Sequence, residues 1–170
     1  LDERFVQTLG TYDVVYSWGV LHHTGDMWRA LRLAALPVSE TGRLFIAIYN
    51  DCGETSRRWH ALKRFYNHLP AVVKPTFAAG TWAFMEAREM FGHLRRFRLH
   101  DYVRSLAAYR KNRGMNRWHD AADWIGGYPY EYTTSQQLTE FYAKIGFTPE
   151  RSAEASGLGC HEILFRRITS

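Results

Sequence analysis

Apolar and polar positions change period several times along the chain. Tyr12-Asp13-Val14-Val15-Tyr16 is a short run of β-formers, residues 26–36 repeat apolar positions at helical spacing, and Leu44-Phe45-Ile46-Ala47-Ile48-Tyr49 is a second unbroken apolar run. Two apolar strands joined by a helix of about ten residues predict a βαβ unit, and apolarity that does not alternate predicts a parallel sheet covered on both faces. Residues 1–10 read as the end of a helix, and the first residue is Leu1, so the chain is expected to start inside a larger protein.

Residues 51–130 contain no strand-like run. They are rich in Arg, Trp, Phe and Tyr, and their helical patterns are expected to break near Pro70, Pro75, Gly80, Gly92 and Gly114. This segment is read as a helical insertion or lid, which leaves 1–50 and 131–170 as one α/β domain. From Thr133 the α/β pattern returns. Thr134 with Gln137 predicts a capping box, Leu138, Phe141, Tyr142 and Ile145 form one stripe, and Gly146 ends the helix. Phe147 to Ala155 and Cys160 to Ile168 then read as two strands joined through Ser156-Gly157-Leu158-Gly159, a hairpin at one edge of the sheet.

Composition adds few constraints. A chain of 170 residues, 46% of them hydrophobic, suits a compact fold with a sizeable core. A net charge of +5 permits an anionic partner without requiring one. Cys52 and Cys160 suggest neither a metal knuckle nor a disulfide framework, which makes a reducing cytoplasm the expected location. No signal peptide is visible, and no apolar run approaches the roughly 18 residues of a membrane span. The eight histidines include no ligand pattern such as His-Glu-x-x-His, so no metal site is expected.

The stretch after the first strand carries the candidate chemistry, because ligands of open parallel sheets sit outside the carboxyl ends of the strands. Asp13-Val14-Val15-x-Ser17-x-x-x-Leu21-His22-His23, followed by a helix and then Gly42-Arg43-Leu44-Phe45-Ile46-Ala47, resembles the fourth strand, fourth helix and fifth strand of class I S-adenosylmethionine-dependent methyltransferases. The C-terminal helix and hairpin resemble the end of that fold, where an antiparallel last strand inserts beside the fifth. The resemblance implies a partial Rossmann-like methyltransferase sheet, strands 4 to 7 of the family order. The family's glycine-rich loop and its acidic ribose-binding residue belong upstream, and neither is present in this sequence. The usual Pro-Gly-Gly turn before the fifth strand is here Glu40-Thr41-Gly42. The chain is therefore expected to bind cofactor weakly or not at all without an N-terminal half or a partner chain, and its strand at 12–17 to be an unpaired edge with an exposed apolar face.

By this resemblance, Ser17, Trp18, Gly19 and Val20 would wall the S-adenosylmethionine site, with the Trp18 ring beside the positive sulfur. His22 and His23 would stand at the mouth as catalytic acid/base groups; Tyr49 and Asn50 follow the second strand, should face the same crevice, and are expected to meet the acceptor in preference to forming only a turn. The plainer alternatives are that Trp18 is core, Gly19 a turn residue, and each histidine a hydrogen-bond partner of the next loop. Within the insertion, Arg113 to Asp120 and Trp124 to Glu131 surround glycines with polar and aromatic groups. As a lid they would offer Trp118, Asp120 and Tyr128 to substrate, and His119 as a second acid/base. As scaffold they would form the aromatic core of a helical subdomain.

The insertion also carries Arg57, Arg58, Lys63, Arg64, Arg95, Arg96, Arg98, Arg104, Arg110, Lys111, Arg113 and Arg117, interleaved with Trp82, Phe84, Phe91 and Phe97. These support a second class of function, a non-catalytic basic module that meets anionic lipid or nucleic acid, including peripheral membrane contact. No nucleic-acid motif is visible. The leading expectation is methyl transfer to a small-molecule or lipid-like acceptor, with the acceptor atom left open.

Overall fold

The computed structural model describes residues 1–114 and 116–168, apart from the side chains of Arg110, Asn112 and Arg113. Met115, within the stretch from Arg113 to Asp120, and the side chains of Arg110 and Arg113, within the basic set, lie outside what is described. The chain forms two compact units, Leu1–Ala61 with Pro129–Ser170, and Leu62–Tyr128.

The first unit is α/β. After α1 (Glu3–Thr8) come β1 (Tyr12–Trp18), a 3-10 turn at Leu21–His23, α2 (Met27–Ala35) and β2 (Val38–Tyr49); α7 (Ser135–Ala143), β3 (Phe147–Ala153) and β4 (Cys160–Arg167) complete it. The sheet has four strands in the order β1-β2-β4-β3 and is mixed: β1 runs parallel to β2, while β4 lies antiparallel to both β2 and β3.

Local signals account for the helices of this unit. The Asp26 side chain caps α2 by accepting from the Arg29 N–H. Thr134 and Gln137 form the reciprocal capping box of α7. Gly146 takes the left-handed conformation (φ +83°) that ends the turn after α7. The apolar faces of α2 and α7 then pack on one face of the sheet, where Met27, Leu31, Leu138 and Tyr142 meet Leu44, Ile46, Ile48, Phe147, Ile163 and Phe165. The Tyr142 hydroxyl donates to the Leu31 carbonyl at 3.1 Å and ties the two helices together.

Coverage of both faces does not hold. On β1, Val14, Tyr16 and Trp18 point away from that core and are 63%, 66% and 53% exposed. Tyr16 stacks on Phe45 with ring centres 5.0 Å apart. The turn expected at Glu40 to Gly42 is drawn into β2 as a bulge, since Tyr12 pairs with Val38 but Val14 already pairs with Arg43. Gly42 is required there: a Cβ would lie 2.8 Å from a Val38 methyl and 2.9 Å from the Ser39 nitrogen.

Residues 51–130 contain four helices, α3 (Glu54–His68), α4 (Lys74–Arg95), α5 (Leu99–Arg113) and α6 (Arg117–Gly126), and no strand among the described residues. The division between the units falls within α3 and before Pro129, not at 50/51 and 130/131. Residues 51–61 and 129–130 belong with the sheet because they bond to its strand ends, as in Asp51 N–H to the Thr133 carbonyl and His23 to the Pro129 carbonyl. Pro75 sits in the first turn of α4, where no N–H is needed. Gly80 and Gly92 lie inside α4 and do not break it. Each costs a helix only about 1 kcal/mol, which a 22-residue helix absorbs. Among the described residues no helix is long and apolar enough to cross a membrane.

Candidate functional site

The parallel pair β1 and β2 ends at Trp18 and Tyr49, so the residues following both strands gather at one edge of the sheet. Gly19 makes the turn out of β1 with φ +73°, a conformation strained for any residue with a Cβ, while its N–H still donates to the Ala47 carbonyl at 3.2 Å. No atom lies within 4 Å of where a side chain on Gly19 would begin, so the backbone is open to a ligand. Ser17 is half-buried in register with Ile46, Val20 is exposed, and the half-open Trp18 ring donates its N–H to Glu162 at 3.1 Å.

The two histidines occupy the 3-10 turn but play different parts. His22 was expected at the mouth; it is fully buried instead. Its Nδ1 accepts from the Tyr49 N–H at 3.3 Å and its ring lies 3.8 Å from the Tyr49 ring. A nitrogen that accepts carries no hydrogen, so in neutral His22 the proton is on Nε2. His23 has the opposite tautomer. Its Nδ1 lies 2.6 Å from the Pro129 carbonyl, which can only accept, so Nδ1 carries the hydrogen and Nε2 the lone pair. His23 is half-buried and meets the Tyr49 ring edge-on at 5.6 Å. The two Nδ1 atoms are thus committed differently, that of His22 to the Tyr49 backbone and that of His23 to the Pro129 carbonyl.

The segment that holds these rings was only half read from the sequence. Tyr128 was singled out from the stretch Trp124 to Glu131, and Pro129, Tyr130 and Glu131 of the same stretch contact the histidine turn and Tyr49. The Glu131 N–H donates to the His22 carbonyl at 3.0 Å, and Glu131 Oε1 accepts from the Met27 N–H at 3.1 Å, which anchors the first turn of α2. Glu131 Oε2 is buried and makes no hydrogen bond among the described residues. Tyr130 is buried 5.2 Å from the Tyr49 ring, and burial pushes its hydroxyl pKa far up, so it stays protonated.

Asn50, expected to contact the acceptor, is held by hydrogen bonds to the β3–β4 loop and to His161. Its amide nitrogen donates to the Ala155 and Gly157 carbonyls at 3.3 and 3.2 Å, and its oxygen is 2.8 Å from His161 Nε2. His161 Nδ1 accepts from the Ala155 N–H, so this histidine is neutral with its proton on Nε2, and desolvation lowers its pKa. Together they pin the loop between β3 and β4. Pairing of His161 with Ile48 across β2 and β4 is what brings it to Asn50, a long-range fact with no local signature.

In the helical unit the remaining candidates have local partners. The Asp120 carboxylate accepts from the Tyr109 hydroxyl, and Trp118 meets Trp82 edge-on at 6.0 Å. His119 is exposed, its N–H capped by Asn116 at 2.8 Å, and Tyr128 is half-buried. Lys63 is not part of a basic surface: it is buried, donates to the Trp124 carbonyl and sits 4.2 Å over the Trp124 ring, and burial lowers its pKa to about 8. Arg117 is likewise drawn inward by Glu86 and Glu89 at 2.7 and 2.6 Å. Among the described residues no group of three or more His, Cys, Asp or Glu side chains is placed to hold a metal ion.

Compared with protein-family profiles, with curated proteins and with solved structures, the chain matches none.

Proposed function

We propose that this chain carries the C-terminal strands of a class I methyltransferase-like sheet and takes part in methyl transfer from S-adenosylmethionine to a small-molecule or lipid-like acceptor. The observation that carries this reading is the sheet order: β4 lies antiparallel beside β2 with β3 outside it, and on this reading β1, β2, β4 and β3 would take the places of strands 4, 5, 7 and 6 of that family. The open edge of β1, with Val14 and Tyr16 exposed, fits the place where the family's remaining strands would pair.

The residues at the strand ends fit part of such a cofactor. The half-open Trp18 ring offers a π face to a cation, and the unobstructed backbone at Gly19 allows close approach. When bound, S-adenosylmethionine supplies an electrophilic methyl group on a sulfonium. Ser17, Trp18, Gly19 and Val20 would form one wall of its site. His23 would take the proton from an acceptor O–H or N–H on Nε2, because the Pro129 carbonyl keeps Nδ1 protonated and aims the ring. His22 and Tyr49 hold that geometry, and Glu131 ties it to α2.

Titration of the folded chain with S-adenosylhomocysteine, followed residue by residue in amide NMR spectra, tests this. Weak, saturable shifts confined to Ser17 to His23 and Tyr49, removed by Trp18→Ala, are expected. A folded chain with no shift there at millimolar ligand would refute the assignment.

A further inference from the structure

Residues 90–100, Met-Phe-Gly-His-Leu-Arg-Arg-Phe-Arg-Leu-His, contain three arginines and no carboxylate. They form the corner between α4 and α5. The Arg98 N–H donates to the His93 carbonyl at 2.9 Å and the Phe97 N–H to the Leu94 carbonyl at 3.0 Å, the paired bonds of a Schellman helix end. In that motif the residue in the left-handed conformation is usually glycine, since a Cβ is strained there. Here it is Phe97, at φ +56°, and the residue is 97% exposed. Both features oppose folding, and no packing offsets either, so this corner points to a role outside the fold.

Its neighbours indicate which. Phe84, Phe91, Leu94 and Leu99 are also exposed, and Phe84, Arg88, Phe91 and Arg95 share one stripe of α4 by spacing. The acidic groups of this region are already engaged: Glu86 and Glu89 accept from Arg117, and Asp101 from Arg98 at 2.5 Å. Arg95 and Arg96 remain exposed beside the apolar rings. Exposed phenylalanine and leucine flanked by arginine, on helices too polar to cross a bilayer, match the composition of segments that lie in the membrane interface. A nucleic-acid surface would use the arginines and stack an aromatic ring, but would leave Leu94 and Leu99 without a function.

We propose that the α4–α5 corner is a membrane-docking site, which seats Phe97 with Phe91 and Leu94 among the acyl chains of an anionic lipid surface while Arg95 and Arg96 contact headgroup phosphates. Co-sedimentation of the whole chain with phosphatidylcholine vesicles, with and without phosphatidylglycerol, tests this at low salt. Binding to the anionic vesicles only, reversed by added salt, is expected. Phe97→Gly should weaken it by roughly tenfold or more, while its melting temperature stays equal or rises because glycine relieves the strained φ. Arg95→Gln with Arg96→Gln should cost roughly fivefold per charge. No binding by the folded chain, undiminished binding by Phe97→Gly, or retention of a single-stranded RNA in place of vesicles would each overturn the proposal.

Discussion

The two faces of the sheet differ sharply although both are built from apolar residues. Leu44, Ile46 and Ile48 of β2 disappear beneath α2 and α7, whereas Tyr16 and Trp18 on the opposite face of neighbouring β1 stay more than half exposed. Strand side chains alternate between faces, so a run such as Asp-Val-Val-Tyr-Ser-Trp supplies apolar groups to both. The difference teaches that such a run records what a strand could bury. What it does bury depends on which helices the rest of the chain brings to each face.

Substitutions on the two faces should separate them. The largest effect is expected on the covered face. Ile46→Ala removes a side chain with no exposure from the middle of the core and should cost about 2–5 kcal/mol in denaturant unfolding. A loss near zero would mean that α2 and α7 do not pack there.

A smaller, pH-dependent effect is expected at the end of the same face, where His161 is buried. Burial lowers its pKa from the ordinary 6.5, so in the window just below that value the unfolded chain binds more protons than the folded one. Stability should therefore fall as the pH drops below about 6.5 and be retained above it. His161→Gln should flatten that part of the stability profile. An unchanged slope would show that His161 does not carry it.

The least effect should come from the open face. Tyr16→Ser, beyond loss of the stacking on Phe45, should change unfolding free energy by no more than about 0.5 kcal/mol. It should also raise solubility by removing an apolar group beside a free strand edge. A cost near that of Ile46→Ala would mean that this face is covered in solution.

The same contrast runs through the candidate site. Ser17 to His23 could be placed at a strand end from the sequence, because the position after a parallel strand is a matter of order along the chain. Which histidine faces outward could not. His22 turns inward to the Tyr49 backbone, and His23 is aimed by the carbonyl of Pro129, 106 residues further on. The partners of Asn50 were out of reach for the same reason: they are the carbonyls of Ala155 and Gly157 and the ring of His161. Phe97 is the reverse case. Its exposure and left-handed backbone are invisible in a sequence where the glycine of a helix end would have been expected.

What was legible from residue order alone depends on neighbours within about one helical turn or one strand. The cap at Thr134 with Gln137, the turn at Gly146, the α2 stripe and the hairpin from Phe147 are all of this kind. The strand order, the bulge that absorbs Ser39 to Gly42, the uncovered face of β1 and the tautomers of the two histidines depend on groups far apart in the chain. Local hydrogen bonds and periodic burial act over a few residues and leave a periodic trace. Long-range pairing leaves none, because the partner of a given atom is set by how the whole chain closes on itself.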